Sequence, residues 1–280
     1  MKKILITGAN SYIGTSFEKW IKQWSEEYLV DTIDMIDGTW REKSFFGYDV
    51  VFHVAGIAHI KETKENAELY YKVNRDLVYE VAKKGKDEGV KQFIFLSSMS
   101  VYGMETGVIS KDTMPTPKSN YGKSKLQAEE LISPLQDSTF NIAVIRPPMI
   151  YGKGCKGNYV RLEKFALKSL IFPRIENKRS MIYIDNLCEF VKYVIDDESN
   201  GLFLPQNDEY VCTSDMVKEI AEAHGKKIYM TKLFNPLLRV LKVSTVNKVF
   251  GDLVYEKRIS EYKSKYCIYD LGKSITLTER

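Results

Sequence analysis

Lys3-Ile4-Leu5-Ile6-Thr7-Gly8-Ala9-Asn10-Ser11-Tyr12-Ile13-Gly14 decides the fold. Lys3 to Thr7 reads as a short buried strand, and Gly8 to Gly14 as the turn that opens a helix running to about Trp24. A strand, a glycine turn and a helix N-terminus together make a pyrophosphate site, because unpaired backbone N–H groups and the positive helix end face the ligand. A second strand, Tyr28 to Ile33, follows and ends at Asp34, 26 residues beyond Gly8. A carboxylate there accepts both hydroxyls of an adenosine ribose and repels a 2′-phosphate, which points to NAD rather than NADP. Asp31 and Asp37 compete for that position.

Working outward, Asp49 to Gly56 is an apolar run ending in small residues, suited to a central parallel strand whose end touches a flat ligand. Ala67 to Ala82 carries Leu69, Val73, Leu77, Val78 and Val81 at helical spacing, with Asn74 on that helix. Gln92 to Leu96 and Phe140 to Ile145 read as strands, and Tyr121 to Ile132 as a helix between them. Asp185 to Asp196 and Ser214 to His224 read as helices, and Gly201 to Leu204 as a strand. Alternating strands and helices imply right-handed crossovers and an α/β fold, a Rossmann-like doubly wound parallel sheet. The sheet domain is expected over residues 1–152 with 179–204 returning to it, and a smaller substrate-binding lobe over 153–178 and 205–280.

On the helix from Tyr121, the run Tyr121-Gly122-Lys123-Ser124-Lys125 projects a phenol and an ammonium from one face. A phenol titrates near ~10 and a neighbouring cation favours its ionised form. Lowering it by about three units takes roughly 4 kcal/mol, within reach of one Lys plus a cationic nicotinamide in a partly desolvated pocket. A hydroxyl from the preceding strand end, Ser97-Ser98-Met99-Ser100, then holds the substrate oxygen.

Composition excludes several function classes. The 280 residues are 44% hydrophobic and carry a formal net charge of +4, too small to suggest nucleic acid. Residues 221–280 hold twelve Lys and Arg against six Asp and Glu. Such a basic region attracts a phosphorylated ligand or forms a solvated face. The apolar run after Met1-Lys2-Lys3 stops at Thr7-Gly8, too short for a signal peptide, and no later run approaches a membrane span. Cys155, Cys188, Cys212 and Cys267 lack metal or redox spacing and read as reduced thiols of a cytoplasmic protein. His53, His59 and His224 form no metal-ligand pattern, so no metal is expected.

Taken together, the chain resembles the extended short-chain dehydrogenase/reductases of the NAD-dependent epimerase/dehydratase family, which act on nucleotide sugars. The segments that carry the resemblance are Thr7-Gly8 to Gly14, His53-Val54-Ala55-Gly56, Val73-Asn74, Ser97 to Gly103, Tyr121 to Lys125, and Arg146-Pro147-Pro148-Met149-Ile150-Tyr151-Gly152. Gly157-Asn158, Arg179 to Leu187 and Gly251-Asp252-Leu253 follow in order. The resemblance implies NAD held by Gly8, Asn10, Ser11, Tyr12, Ile13, Gly14, Asp34, Ala55, Gly56, Asn74, Ser97, Tyr121, Lys125 and Pro148. It makes Tyr121 the acid/base, Lys125 its pKa-lowering partner, and Ser98 the hydrogen-bond partner of the reacting sugar oxygen, with Ser100 alongside. Asn158 and Arg179 contact the nucleotide diphosphate. Asn74 either orders the Lys125 surroundings or only satisfies backbone groups. A homodimer through the helices of Asn74 and Tyr121 is implied as well.

Two departures stand out. Ser11 replaces the middle glycine of the family's G-x-x-G-x-x-G, and only 14 residues separate Asp34 from Asp49, leaving little room for the strand whose acidic end usually contacts adenine. The family's 4,6-dehydratases carry Asp-Glu after the catalytic Ser/Thr, because eliminating water needs an additional acid and base. Met99 and Ser100 stand there instead. The expected activity is epimerisation at C4 of a nucleotide sugar, UDP-glucose 4-epimerase-like, with a 4-keto reductase of a deoxysugar nucleotide as the alternative. A non-catalytic dinucleotide sensor is the third reading, and it has no use for an activated phenol.

Overall fold

The computed structural model describes residues 1–58, 60–233, 235–236 and 244–280, so His59 lies outside the described residues. Along Lys2–Thr7 (β1), Ile4 and Ile6 enter one core and Leu5 another. Val50–His53 (β3) divides in the same way, Val50 and Phe52 against Val51, and Gln92–Leu96 (β4) places Ile94 and Leu96 opposite Phe93 and Phe95. Strands buried on both faces read as unbroken apolar runs, which is why these segments show no polar alternation.

With Tyr28–Ile33 (β2), Gly107–Ile109 (β5), Asn141–Ile145 (β6), Met149–Tyr151 (β7), Ile171–Pro173 (β8), Met181–Tyr183 (β9) and Gly201–Phe203 (β10), the order of the six-stranded sheet is β10-β6-β4-β3-β1-β2. Every neighbouring pair in it is parallel. The expected α/β doubly wound parallel sheet is present. Tyr229–Thr231 (β11) and Leu253–Tyr255 (β12) join the parallel pairs β8–β11 and β5–β12, and β7 pairs with β9.

Helices cover both faces. Tyr12–Ile21 (α1) and Ile184–Asp196 (α6) line one core through Phe17, Ile21, Leu187, Phe190 and Val191. Leu77–Asp87 and Asn120–Ile132 line the other through Val78, Val81, Ala128 and Ile132. We label Ala67–Tyr71 α2, Leu77–Asp87 α3 and Asn120–Ile132 α4; α2 and α3 are joined by a π-helical turn, Lys72–Asp76. Asn158–Lys168 is α5, Thr213–Ala223 α7, Ser244–Phe250 α8 and Leu271–Glu279 α9.

Between Asp34 and Asp49 the chain makes a 3-10 turn at Thr39–Arg41 and no strand, so β2 is a sheet edge. Trp40 and Phe45 fill the second core there, at 2% and 0% exposure. The C-terminal elements share the first core: Met216, Val217 and Ile220 of α7 and Ile275 of α9 belong to the same buried cluster as Ile4 and Phe52. Polar ties reinforce this, since Asn186 Oδ1 accepts from the Ile268 and Tyr269 amides and the Tyr151 hydroxyl bonds to Ser274 Oγ at 2.7 Å. All four cysteines are free thiols. Among the described residues no helix is long and apolar enough to cross a membrane, and no His, Cys, Asp and Glu cluster is suited to a metal ion.

Candidate active site

The carboxyl ends of β1, β3 and β4 meet at one edge of the sheet. Gly8 follows β1 with φ +110°, and a Cβ on it would lie 2.8 Å from the Ala55 nitrogen, so only glycine lets this turn close against the end of β3. Asn10 adopts φ +63° and is exposed. Ser11 caps α1: its Oγ accepts from Gly14 N at 3.1 Å, which leaves its own hydrogen to donate. The Tyr12 and Ile13 amides head α1, where no intrahelical acceptor exists. The Tyr12 phenol turns inward and its hydroxyl is buried without a hydrogen-bond partner among the described residues, its pKa pushed up by burial.

Thr7 and Ile33 are register partners, and Gly8 N donates to Ile33 O, so Asp34 emerges beside the glycine turn. Its exposed carboxylate accepts from Ile36 N at 2.9 Å. Of its competitors, Asp31 lies within β2 and accepts from the Tyr48 hydroxyl at 2.6 Å, and Asp37 caps the Thr39 turn.

Asn74 sits in the π-helical turn, fully buried. Its Oδ1 accepts from Ile57 N at 2.8 Å, and its Nδ2 donates to Ile57 O at 3.0 Å and towards Ser124 Oγ at 3.4 Å. It thereby pins the segment after Ala55 and Gly56 to α4. A Cβ on Gly56 would lie 2.9 Å from Asn74 Oδ1 and 3.4 Å from Lys125 Nζ, so Asn74, Gly56 and Lys125 form one close cluster. Asn74 thus satisfies backbone groups of Ile57 and borders Lys125.

Lys125 is 5% exposed. Its Nζ donates to Leu96 O at 2.8 Å and lies 4.7 Å from the Phe95 ring centre, and burial lowers its pKa to about 8. Tyr121, one turn earlier, stands edge-on to Tyr70 at 6.5 Å between ring centres. Burial raises the phenol above its ordinary value, and the facing Ser98 hydroxyl pulls it down. This direction is opposite to the one expected from the Tyr121 and Lys125 spacing. The ammonium is engaged by Leu96 and Phe95, and desolvation outweighs the remaining influences.

Ser98 Oγ accepts from Ser100 N and donates to Ser100 Oγ, both at 3.1 Å. Ser97 does not face the same way: its hydroxyl donates to Glu129, inside the protein. Pro148 is buried shortly after β6, next to Pro147, whose carbonyl accepts from Met99 N. Asn158 is exposed at the start of α5. Arg179 is half-buried and donates from Nη1 to Gly251 O at 2.9 Å and Asn247 O at 3.4 Å, which ties it to the end of α8; burial lowers its pKa and Asp252 raises it.

Three sets of contacts around this site were not read from the sequence. Glu62 accepts from the Asn120 and Tyr121 amides at 3.0 and 3.1 Å, capping the helix that carries the phenol. Glu129 and Arg146 form a buried ion pair at 2.5 Å, with Arg146 Nη1 donating to the Tyr102 hydroxyl at 2.9 Å. Glu129 lies one turn beyond Lys125, so a third polar residue on one helix face was a usable signal. His53 ends β3 fully buried, its Nδ1 2.7 Å from Thr7 Oγ1; burial, then Lys125, lowers its pKa to about 3, which keeps it neutral.

Residues 4–204 match the model of the NAD dependent epimerase/dehydratase family. The chain belongs to that family. UDP-glucose 4-epimerase of Vibrio cholerae is 32% identical to this epimerase/dehydratase family member, over 90% of this chain and 86% of that protein. N-acetyl-alpha-D-glucosaminyl-diphospho-ditrans,octacis-undecaprenol 4-epimerase of Escherichia coli O157:H7 is 29% identical, over 84% and 76%. Among solved structures, UDP-glucuronic acid 4-epimerase from Bacillus cereus in complex with NAD shares the fold, with TM-score 0.75 and 20% identity over 98% of this chain and 96% of that one. As a member of an NAD-dependent epimerase/dehydratase family, this chain is an enzyme of the oxidoreductase or isomerase type with NAD as its cofactor.

The strand ends fit that dinucleotide. Gly8 lets the turn close against Ala55, where a Cβ would collide, the Tyr12 and Ile13 amides at the head of α1 have no intrahelical acceptor, and Asp34 is exposed beside them.

Proposed function

We propose that this enzyme is a nucleotide-sugar 4-epimerase resembling UDP-glucose 4-epimerase. The observation that carries the reading is Ser98 facing Tyr121 at the sheet edge, with Lys125 buried one turn further on. The V. cholerae relative acts, by its name, on UDP-glucose at C4, and the reading extends that chemistry to this chain.

NAD, held by Gly8, Asn10, Ser11, Tyr12, Ile13, Gly14, Asp34, Ala55, Gly56 and Pro148, supplies hydride acceptance and return at C4. Ser98 holds the C4 oxygen by hydrogen bonding, and Tyr121 takes that oxygen's proton and gives it back. Lys125 presents its ammonium beside Gly56 and Asn74, where the nicotinamide ribose is expected, and its positive charge together with the nicotinamide's opposes the burial that raises Tyr121. Asn158 and Arg179 hold the diphosphate, and residues 153–178 and 205–280 form the lobe over the sugar, with 1–152 and 179–204 as the dinucleotide domain. Four free thiols support a cytoplasmic location. Exposed Leu69 and Leu131, on the helices flanking the site, support a homodimer through those helices.

Incubation with UDP-glucose, UDP-GlcNAc and their 4-keto-6-deoxy derivatives tests the activity. Inversion at C4 with no net change in NADH is expected. Stoichiometric NADH consumption with a keto sugar, and no inversion of the hydroxy sugars, replaces the epimerase with a reductase.

A further inference from the structure

The two hydroxyls assigned to the reacting oxygen stand on different elements: Ser98 lies just past β4, and Tyr121 is in the first turn of α4. Their mutual placement is therefore set by how α4 is tied to the strand end. Two consecutive residues ahead of Ser98 are held by that helix. Lys125 Nζ donates to Leu96 O at 2.8 Å, and the Ser97 hydroxyl donates to Glu129, one turn beyond Lys125.

Arg146, just after β6, completes the arrangement. Its Nε donates to both Glu129 oxygens, at 3.1 and 3.2 Å, and its Nη1 donates to the Tyr102 hydroxyl at 2.9 Å. Tyr102 ends the 3-10 turn Met99–Tyr102, which Ser98 caps by accepting from Ser100 N. Ser98 is thus bracketed: Ser97 is bound to Glu129 before it, and Tyr102 is bound to Arg146 after it. Between them Met99 N donates to Pro147 O at 2.9 Å, beside Arg146 in the chain.

A buried ion pair adds little to stability, because desolvating both charges offsets most of their attraction, and apolar residues of similar volume often replace it without loss. What apolar residues cannot do is hold a hydroxyl by a directed, charge-assisted bond. Lys125 is the other tie, and in the proposed reaction it also serves the nicotinamide ribose, whereas the Glu129 oxygens are committed to Ser97 and Arg146. We propose that Glu129 and Arg146 are positioning residues, a clamp that fixes the Ser98 hydroxyl against the Tyr121 phenol. The clamp rests on the reading of Ser98 and Tyr121 as the groups that meet the sugar oxygen. Glu129 has a second influence in the same direction: burial lowers the pKa of Lys125 to about 8, and the carboxylate opposes that fall.

The test separates folding from alignment. Glu129→Leu/Arg146→Met is expected to melt close to wild type and yet to lose at least about tenfold in turnover, as misplaced reacting groups do. Its KM for nucleotide sugar and its NAD affinity are expected to stay within about twofold. Ser97→Ala keeps the ion pair, removes one bond, and is expected to lose about threefold to tenfold in turnover. The isotope-labelled Cζ resonance of Tyr121, assigned by its loss in Tyr121→Phe, reads the contact with no sugar present. Ser98→Ala is expected to move this resonance, and the double variant to bring it to the same position. A well-folded double variant with wild-type turnover, or with the resonance unmoved, overturns the clamp. So does a resonance that Ser98→Ala leaves in place. If the double variant folds poorly, Ser97→Ala decides by the same two readings. A wild type that inverts no sugar defeats the epimerase reading, and the resonance still judges the clamp.

Discussion

The Glu62 carboxylate accepts from the Tyr121 amide at 3.1 Å and from its neighbour Asn120 at 3.0 Å, so a loop from β3 caps the helix that carries the Tyr121 phenol. The negative charge also meets the positive end of the helix. Glu62→Ala is expected to cost about 1 kcal/mol of stability, the usual scale of a lost helix cap, and to lower turnover. Glu62→Gln keeps an acceptor oxygen and is expected to recover most of both. Urea unfolding and steady-state rates check this; an alanine variant indistinguishable from wild type makes the contact incidental.

Tyr121→Phe removes the phenol that faces Ser98. Turnover is expected to fall at least about a hundredfold, the scale of general acid–base catalysis, with NAD affinity little changed. Near wild-type turnover would move the acid/base elsewhere. Calorimetry and rates on one preparation separate the two quantities.

Lys125 titrates near 8 in the folded protein, down from an ordinary 10.5, because burial penalises its charge. Between those values the unfolded chain holds a proton that the folded chain has lost, so this residue makes stability rise with pH across that window. Below pH 8 the penalty is fully present, on the order of 3 kcal/mol. Lys125→Met is therefore expected to stabilise dinucleotide-free protein at pH 7 and to lose part of the rise between pH 8 and 10. Urea unfolding of both proteins across that range reads the difference, and parallel curves refute the assignment.

Asp34 stands exposed beside the glycine turn. NAD is expected to bind at least tenfold more tightly than NADP, a difference of about 1.4 kcal/mol. Calorimetry with both dinucleotides decides it, and Asp34→Ala should narrow the gap. An NADP preference in the wild type would reject Asp34 as the ribose ligand.

Glu129 and Arg146 are 8% and 6% exposed. Glu129→Ala leaves a buried guanidinium without its counter-charge and is expected to cost about 3–5 kcal/mol. The double variant Glu129→Leu/Arg146→Met should recover most of that loss by replacing charge with apolar packing. Denaturation midpoints of the two variants provide the comparison.

The strands of the central sheet were legible because a buried parallel strand leaves a plain record, a short apolar run ended by small residues. Tyr28–Ile33 and Gln92–Leu96 carry the bounds read for them, and the absent strand between Asp34 and Asp49 followed from chain length alone. Partners fixed by tertiary contact left no such record. Glu62 lies 59 residues from Tyr121, Glu129 lies 17 from Arg146, and Thr7 lies 46 from His53. Each is an ordinary residue in its own segment, and only the closing of the sheet brings the pairs together. The direction of the Tyr121 shift was missed for a related reason. Helical spacing places Lys125 on the right face, but it does not reveal that a carbonyl of β4 and the Phe95 ring take up the ammonium.

The bond between Tyr151 and Ser274 bears on the order in which the molecule is made. All six strands of the main sheet have been synthesised once Phe203 is added, yet Asn186 still awaits the Ile268 and Tyr269 amides, and Tyr151 awaits Ser274. A nascent chain at that stage has its sheet but holds these polar groups unpaired beside an incomplete apolar core. The ribosome must add roughly seventy more residues before the first-made strands are sealed, and during that interval the chain depends on chaperones or on the tunnel to keep its open face from its neighbours.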